Sequence, residues 1–142
     1  MTQSVIMKSL ILVMFTSIVF FGCKQVIENK AEDAILNAMT SGQWRVASFT
    51  VDGNDSTSIF SPYTFQYYRN YTVDAFKNGA VEKTGTWLAD SQAMNITGNF
   101  PNAINPLDLI NGTWHITDNS WTYVKATMTI GNETRTLRLE KI

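Results

Sequence analysis

Gly42-Gln43-Trp44, Gly85-Thr86-Trp87 and Gly112-Thr113-Trp114 state one phrase three times, and the fold is read outward from them. Glycine permits a bend or a close backbone approach, and a tryptophan two residues later in β-rich surroundings supplies an apolar plug just inside a strand. Three of the four tryptophans therefore stand at strand starts or bends.

Between and around these phrases the apolar pattern has period two. Trp44 to Val51 is β-branched and aromatic throughout and reads as a strand. Asp52 to Ser56 is a turn cluster, followed by Tyr63 to Tyr68, in which Tyr63, Phe65 and Tyr67 share one face. Arg69-Asn70 turns the chain into Tyr71 to Phe76. Asn78-Gly79 is the strongest hairpin signal, because a type I′ turn needs positive φ at both central residues. Strands over Val81 to Leu88 and Ala93 to Thr97 follow, separated by Asp90-Ser91. Asn99 to Asn111 is the longest break, a loop with one helical turn started at Pro106. Thr113 to Thr117, an Asp118-Asn119 turn, Ser120 to Ile130, a Gly131-Asn132 turn and Thr134 to Lys141 complete the series. In Ser120 to Ile130, Trp121 and Tyr123 have one parity and Val124, Ala126, Met128 and Ile130 the other, which predicts a bulge near Tyr123. Upstream, Ala31, Ala34, Ile35, Ala38 and Met39 recur at spacings of three and four, with Glu32 and Asp33 early, so a short amphipathic helix ends before Gly42. Its polar face lacks Lys and Arg, so it is expected to cover the barrel's open end rather than lie on a membrane surface. The expectation is an all-β, eight-stranded antiparallel up-and-down barrel with a short N-terminal helix, closed because closure removes exposed edges.

The 142 residues have room for one domain, and the formal charge of −1 becomes −2 without the leader, whose one charge is Lys8. No basic stripe stands out, which argues against a nucleic-acid partner. Charged residues are 16% of the chain, a share that suits exposed β-sheet better than exposed helix. Lys8 precedes an apolar run from Leu10 to Phe21, the order of a secretory signal and too short to span a bilayer comfortably; Met7-Lys8-Ser9-Leu10 reads as a more usual signal start than Met1. The run ends Phe20-Phe21-Gly22-Cys23, which resembles a bacterial lipobox, with the two phenylalanines departing from the usual upstream residues. Cys23 is the single cysteine, so no internal disulfide forms, and the expectation is that it carries the acyl chains that anchor the mature protein. That divides the chain into a lipoprotein signal peptide over 1–22, a lipidated tether over 23–30 and a barrel with its leading helix over 31–142.

The leader, the helix, Gly42-x-Trp44 opening the first strand, Tyr63 to Phe65, Gly85-x-Trp87 and Trp114 together resemble the small lipocalin-like lipoproteins of Bacteroidetes and, more distantly, lipocalins. The resemblance covers roughly residues 35–142. It implies a lipocalin-like barrel, with a small apolar ligand as an implication of the fold alone. It also implies a basic residue near the end of the last strand packed over Trp44, with Arg135 as first candidate and Arg138 as second. Localisation is expected in the cell envelope with an outer-membrane lean, since Lys24-Gln25 after the cysteine lacks the Asp of an inner-membrane retention signal.

Little else carries chemistry. His115 is the only histidine, which limits triads and metal sites, and it lies opposite Trp114 and Ile116 in parity. Asp74, Glu82, Glu133 and Glu140 read as solvated strand positions, while Asp52, Asn54 and Asp55 hint at calcium without the spacing of an EF-hand. No enzyme, cofactor or metal is expected, and the protein is expected to be monomeric. Five Asn-x-Ser/Thr sequons read as accidents of composition, and Asp55-Ser56-Thr57 resembles a short O-glycosylation motif of Bacteroidetes. Trp44, Phe65, Tyr67, Trp87, Trp114 and Trp121 are the interior candidates: they either fill the barrel or line a pocket for an apolar ligand.

Overall fold

A computed structural model describes residues 29–142. The signal peptide, Cys23 and most of the tether fall outside the described residues. Residues 29–40 are helical, so the helix already holds the last two residues expected in the tether.

The strands are β1 (Trp44–Val51), a two-residue β2 (Asn54–Asp55), β3 (Tyr63–Tyr67), β4 (Thr72–Lys77), β5 (Ala80–Asp90), β6 (Asn95–Asn99), β7 (Gly112–Asn119), β8 (Tyr123–Ile130) and β9 (Glu133–Lys141). Each of β3 to β9 pairs antiparallel with its sequence neighbour, and β1 pairs with β9, which closes eight strands into a barrel with β2 as a small flap. The closing ladder runs from Trp44 opposite Lys141 to Val51 opposite Arg135. Against β3, by contrast, β1 makes one bridge, Trp44 opposite Phe65. The flap supplies what β3 does not: Phe49 N–H donates to Thr57 Oγ1 (2.9 Å) and Phe49 C=O accepts from Ser56 N–H (2.8 Å). Those main-chain groups would otherwise be buried without partners.

A register shift between Val46 and Ser48 explains why Trp44, Val46, Phe49 and Val51 all turn toward the core although their spacing breaks strict alternation. Ala47 is the extra residue, and the bulge swings Phe49 inward to meet Phe60 edge-on at 5.1 Å. Asn78 and Gly79 have φ of 51° and 83°, as a type I′ turn demands.

Two expectations about β7 and β8 are corrected. Asp118 and Asn119 belong to β7, and the turn is 120–122, held by Thr122 N–H donating to Ser120 Oγ (3.1 Å). The bulge in this hairpin lies on β7 between Ile116 and Asp118 rather than near Tyr123. Trp121 is thus a turn residue and 60% exposed, so its parity conflict with Val124 does not arise inside a strand. Likewise β6 begins at Asn95, two residues later than expected. Asp90 Oδ1 accepts from Gln92 and Ala93 N–H and Met94 takes a positive φ of 54°, which extends the turn.

The three Gly-x-Trp phrases use their glycines for different reasons. Gly42 has φ of 98°, a conformation that ends the helix and that a side chain would strain. At Gly85 a Cβ would collide with the Asn99 carbonyl oxygen and come within 2.8 Å of the Phe100 ring, so β5 can approach β6 only without one. The tryptophans themselves share one role. Trp44, Trp87 and Trp114 are 0%, 1% and 2% exposed. Each indole N–H donates to a main-chain carbonyl outside the sheet: Met39 at the helix end (2.9 Å), Tyr68 in the β3–β4 loop (3.0 Å) and Ile110 after β6 (3.0 Å).

Two substitutions test this packing. Gly85→Ala is expected to cost about 1–3 kcal/mol through overpacking, read as a lowered Tm; an unchanged Tm would show that β5 and β6 can separate freely. Trp44→Phe keeps an aromatic plug but strands the Met39 carbonyl, at about 1–3 kcal/mol. Its signature is faster amide exchange in residues 29–40 before any change in β4 or β5.

Candidate functional site

The inside of the barrel is where a lipocalin-like architecture would place a ligand, and five of the six interior candidates meet there. Trp44, Phe65, Trp87 and Trp114 are buried, and Tyr67 is half-buried with its ring edge-on to Trp87 at 5.4 Å. Trp121 does not join them, because the 120–122 turn carries it outside. Burial pushes the Tyr67 phenol well above its usual range, so it stays neutral under ordinary conditions.

The space these residues leave is small. A void of about 40 Å³ lies among Phe65, Tyr67, Val73, Trp87, Trp114, Leu137 and Leu139, with Phe100 and Ile110 above. A second, of about 50 Å³, lies under the helix between Ile35, Met39, Trp44, Ile116 and Val124. A ligand pocket occupies roughly 300–1,000 Å³, whereas about 10–15 Å³ of such space admits a water. Both voids are almost wholly apolar in their lining, and neither approaches the size of a drug-like ligand.

Each barrel end carries a cover. At one end Ile35, Leu36 and Met39 of the helix pack onto the core, and Arg69 Nη1 donates to Asn37 Oδ1 (2.6 Å), tying the β3–β4 loop to the helix. At the other end sit two short 3₁₀ turns, Thr57–Phe60 and Leu107–Ile110, which bury Phe60 and Leu107. Pro106 stands immediately before the second, with φ of −93°. Arg135 fastens this turn: its Nη1 donates to Leu109 C=O (2.8 Å) while its Nε pairs with Glu133.

That placement overturns the expectation for Arg135 over Trp44. The register sets Arg135 opposite Val51, at the far end of β1, and sets Lys141 opposite Trp44. Lys141 Nζ therefore lies 5.0 Å from the Trp44 ring centroid and donates to Ala38 C=O (2.7 Å) and Ser41 Oγ (2.9 Å). The cation both faces the indole and caps the helix C-terminus. Arg138, the second candidate, instead points outward over Tyr123 at 4.5 Å. Lys141 shares parity with Leu137 and Leu139, a signal available in the sequence.

The ionisable groups are dispersed over the outside. His115 Nδ1 is 3.2 Å from the Asn95 side-chain amide on the outer face. Asp52 and Asp55 accept from the N–H groups of Thr134 (2.8 Å) and Thr57 (2.9 Å), so both cap backbone instead of converging on an ion. The Thr57 hydroxyl and N–H also hold the Asp55 carboxyl below its usual range. Asp74 accepts from Tyr68 and Thr84 hydroxyls. Tyr63 is pushed up to about 12, by burial first and then by its bond to Glu82, whose carboxyl that bond lowers in turn. Among the described residues no three His, Cys, Asp or Glu side chains gather as a metal site would require. Also among them, no helix is long and apolar enough to cross a membrane.

No protein-family model and no curated protein matches this sequence. Among solved structures the chain is similar to a DUF4847 family protein from Bacteroides vulgatus, with a TM-score of 0.55 and 13% identity over 75% of this chain and 96% of that one. A likeness at that identity concerns the fold: the chain shares a closed, eight-stranded antiparallel barrel with a Bacteroides protein.

Proposed function

We propose that the protein is a lipid-anchored component of the bacterial cell envelope, held at the outer membrane through acylated Cys23. Its barrel serves as a non-enzymatic interaction module filled by its own side chains. The observation that supports the filled reading is the size of the voids, about 40 and 50 Å³, beneath ends plugged by the helix and by two 3₁₀ turns. An eight-stranded barrel has an interior that side chains can occupy, and Trp44 and Trp87 are among its largest fully buried side chains. The anchor reading rests on the sequence order of Lys8, the apolar run and Gly22-Cys23. Against an enzyme stands the dispersal of carboxylates into caps and outer-face pairs.

The other reading is a small apolar ligand held among Phe65, Tyr67, Trp87 and Trp114. To admit one, the 57–60 and 107–110 turns must swing aside, breaking the Phe49–Phe60 contact and the Arg135 bond to Leu109. Titrating an apolar fluorescent probe against tryptophan emission separates the readings. A filled barrel gives no saturable quenching, whereas saturable quenching of the buried tryptophans would overturn it. For the anchor, Cys23→Ala is expected to abolish acyl labelling and move the protein from the membrane to the soluble fraction; retention in the membrane would overturn that part.

A further inference from the structure

Among the described residues the large exposed aromatic side chains lie at one end of the barrel. Tyr68, Tyr71 and Trp121 are 37%, 44% and 60% exposed, and they lie in the β3–β4 loop and the 120–122 turn. Both connections flank the helix. Arg69 of the first bonds Asn37, and Ser120 of the second lines the void beneath Ile35 and Ala38. Two more exposed apolar residues join them: Met94, in the β5–β6 turn at the same end, and Ile142, whose N–H donates to Gln43 C=O beside the helix end. The opposite end exposes Ile59, Val81, Ile104 and Ile130, all aliphatic, and Leu88 is exposed on β5.

We infer that the helix end of the barrel seats on the membrane itself, with Trp121, Tyr68 and Tyr71 in the polar–apolar interface of the bilayer. The occupant is argued from where the chain arrives. Residue 29 opens the described helix and Cys23 stands six residues before it, so the two are at most about 22 Å apart whatever path the chain takes. A lipid on Cys23 therefore holds this end, and not the far one, against the headgroups. Tryptophan and tyrosine favour that layer because an apolar ring and a polar tip are satisfied together. At this end Lys30, Arg69 and Lys141 stand with Glu32, Asp33, Asp90 and Asp118, so no net cationic patch calls for anionic lipid. Such seating would fix the orientation of the barrel and point the 57–60 and 107–110 turns away from the membrane. It rests on the anchor reading above.

The test uses the full chain, processed by a lipoprotein-competent bacterial host and reconstituted into phosphatidylcholine vesicles with or without brominated acyl chains. Tryptophan emission is compared for wild type and Trp121→Phe, with the mass of the mature N-terminus read in parallel. Trp44, Trp87 and Trp114 are buried, so the wild-type protein is expected to lose a component of emission to the brominated lipid that Trp121→Phe lacks. An acylated protein whose two emission profiles respond alike overturns the seating and leaves the anchor standing. An unacylated Cys23 overturns the anchor, and the seating with it. An unchanged Tm for Trp121→Phe shows that the substitution in the exposed turn has not altered the fold.

Discussion

A buried indole N–H has to be bonded, and in this barrel each of the three is bonded to a carbonyl that the sheet cannot use. That single requirement couples the core to its surroundings. The helix end, the β3–β4 loop and the segment before β7 each present one carbonyl inward, and each is fixed by the tryptophan that reaches it. Ring burial supplies the apolar driving force; the N–H supplies position. A phenylalanine would provide most of the first and none of the second.

The same economy governs the covered ends. Lys141 neutralises the carbonyl end of the helix while lying over Trp44, and Arg135 holds the 107–110 turn by one carbonyl. These cations stand at opposite ends of the same strand, three turns of parity apart, with Leu137 and Leu139 between them. One strand thus carries a fastening for each end of the barrel and a share of its core. The two voids described above are lined mainly by apolar side chains, with few polar atoms to attract water.

Much of this was legible in the sequence because strand periodicity and turn chemistry are local. The strand from Trp44 to Val51, the Asn78-Gly79 turn, the 3₁₀ turn after Pro106 and five of the six interior aromatics are where those rules place them. The failures have two causes, long-range register and local turn chemistry. Whether Arg135 or Lys141 meets Trp44 is decided by how β9 slides along β1, a pairing across the whole barrel. Strand periodicity extended through Ser120 and Thr122 places Trp121 inside, but their mutual hydrogen bonds make a turn instead. The bulge at Ala47 had a signal, since Trp44, Val46, Phe49 and Val51 change parity midway, yet a parity change alone does not say which residue is extra.

The single bridge between β1 and β3 has a consequence for how the chain comes together in time. An N-terminal hairpin usually lets a first strand pair as soon as its neighbour exists, but here β1 finds its ladder only in β9, some ninety residues later. On a chain made from the N-terminus, β3 to β8 can meander onto one another while β1 waits, held by the flap alone. Closure then arrives in one late step with the last strand, a topology of high contact order and slow folding. A partly made chain of this kind stays open, with its plugs unset, until its final residues are available.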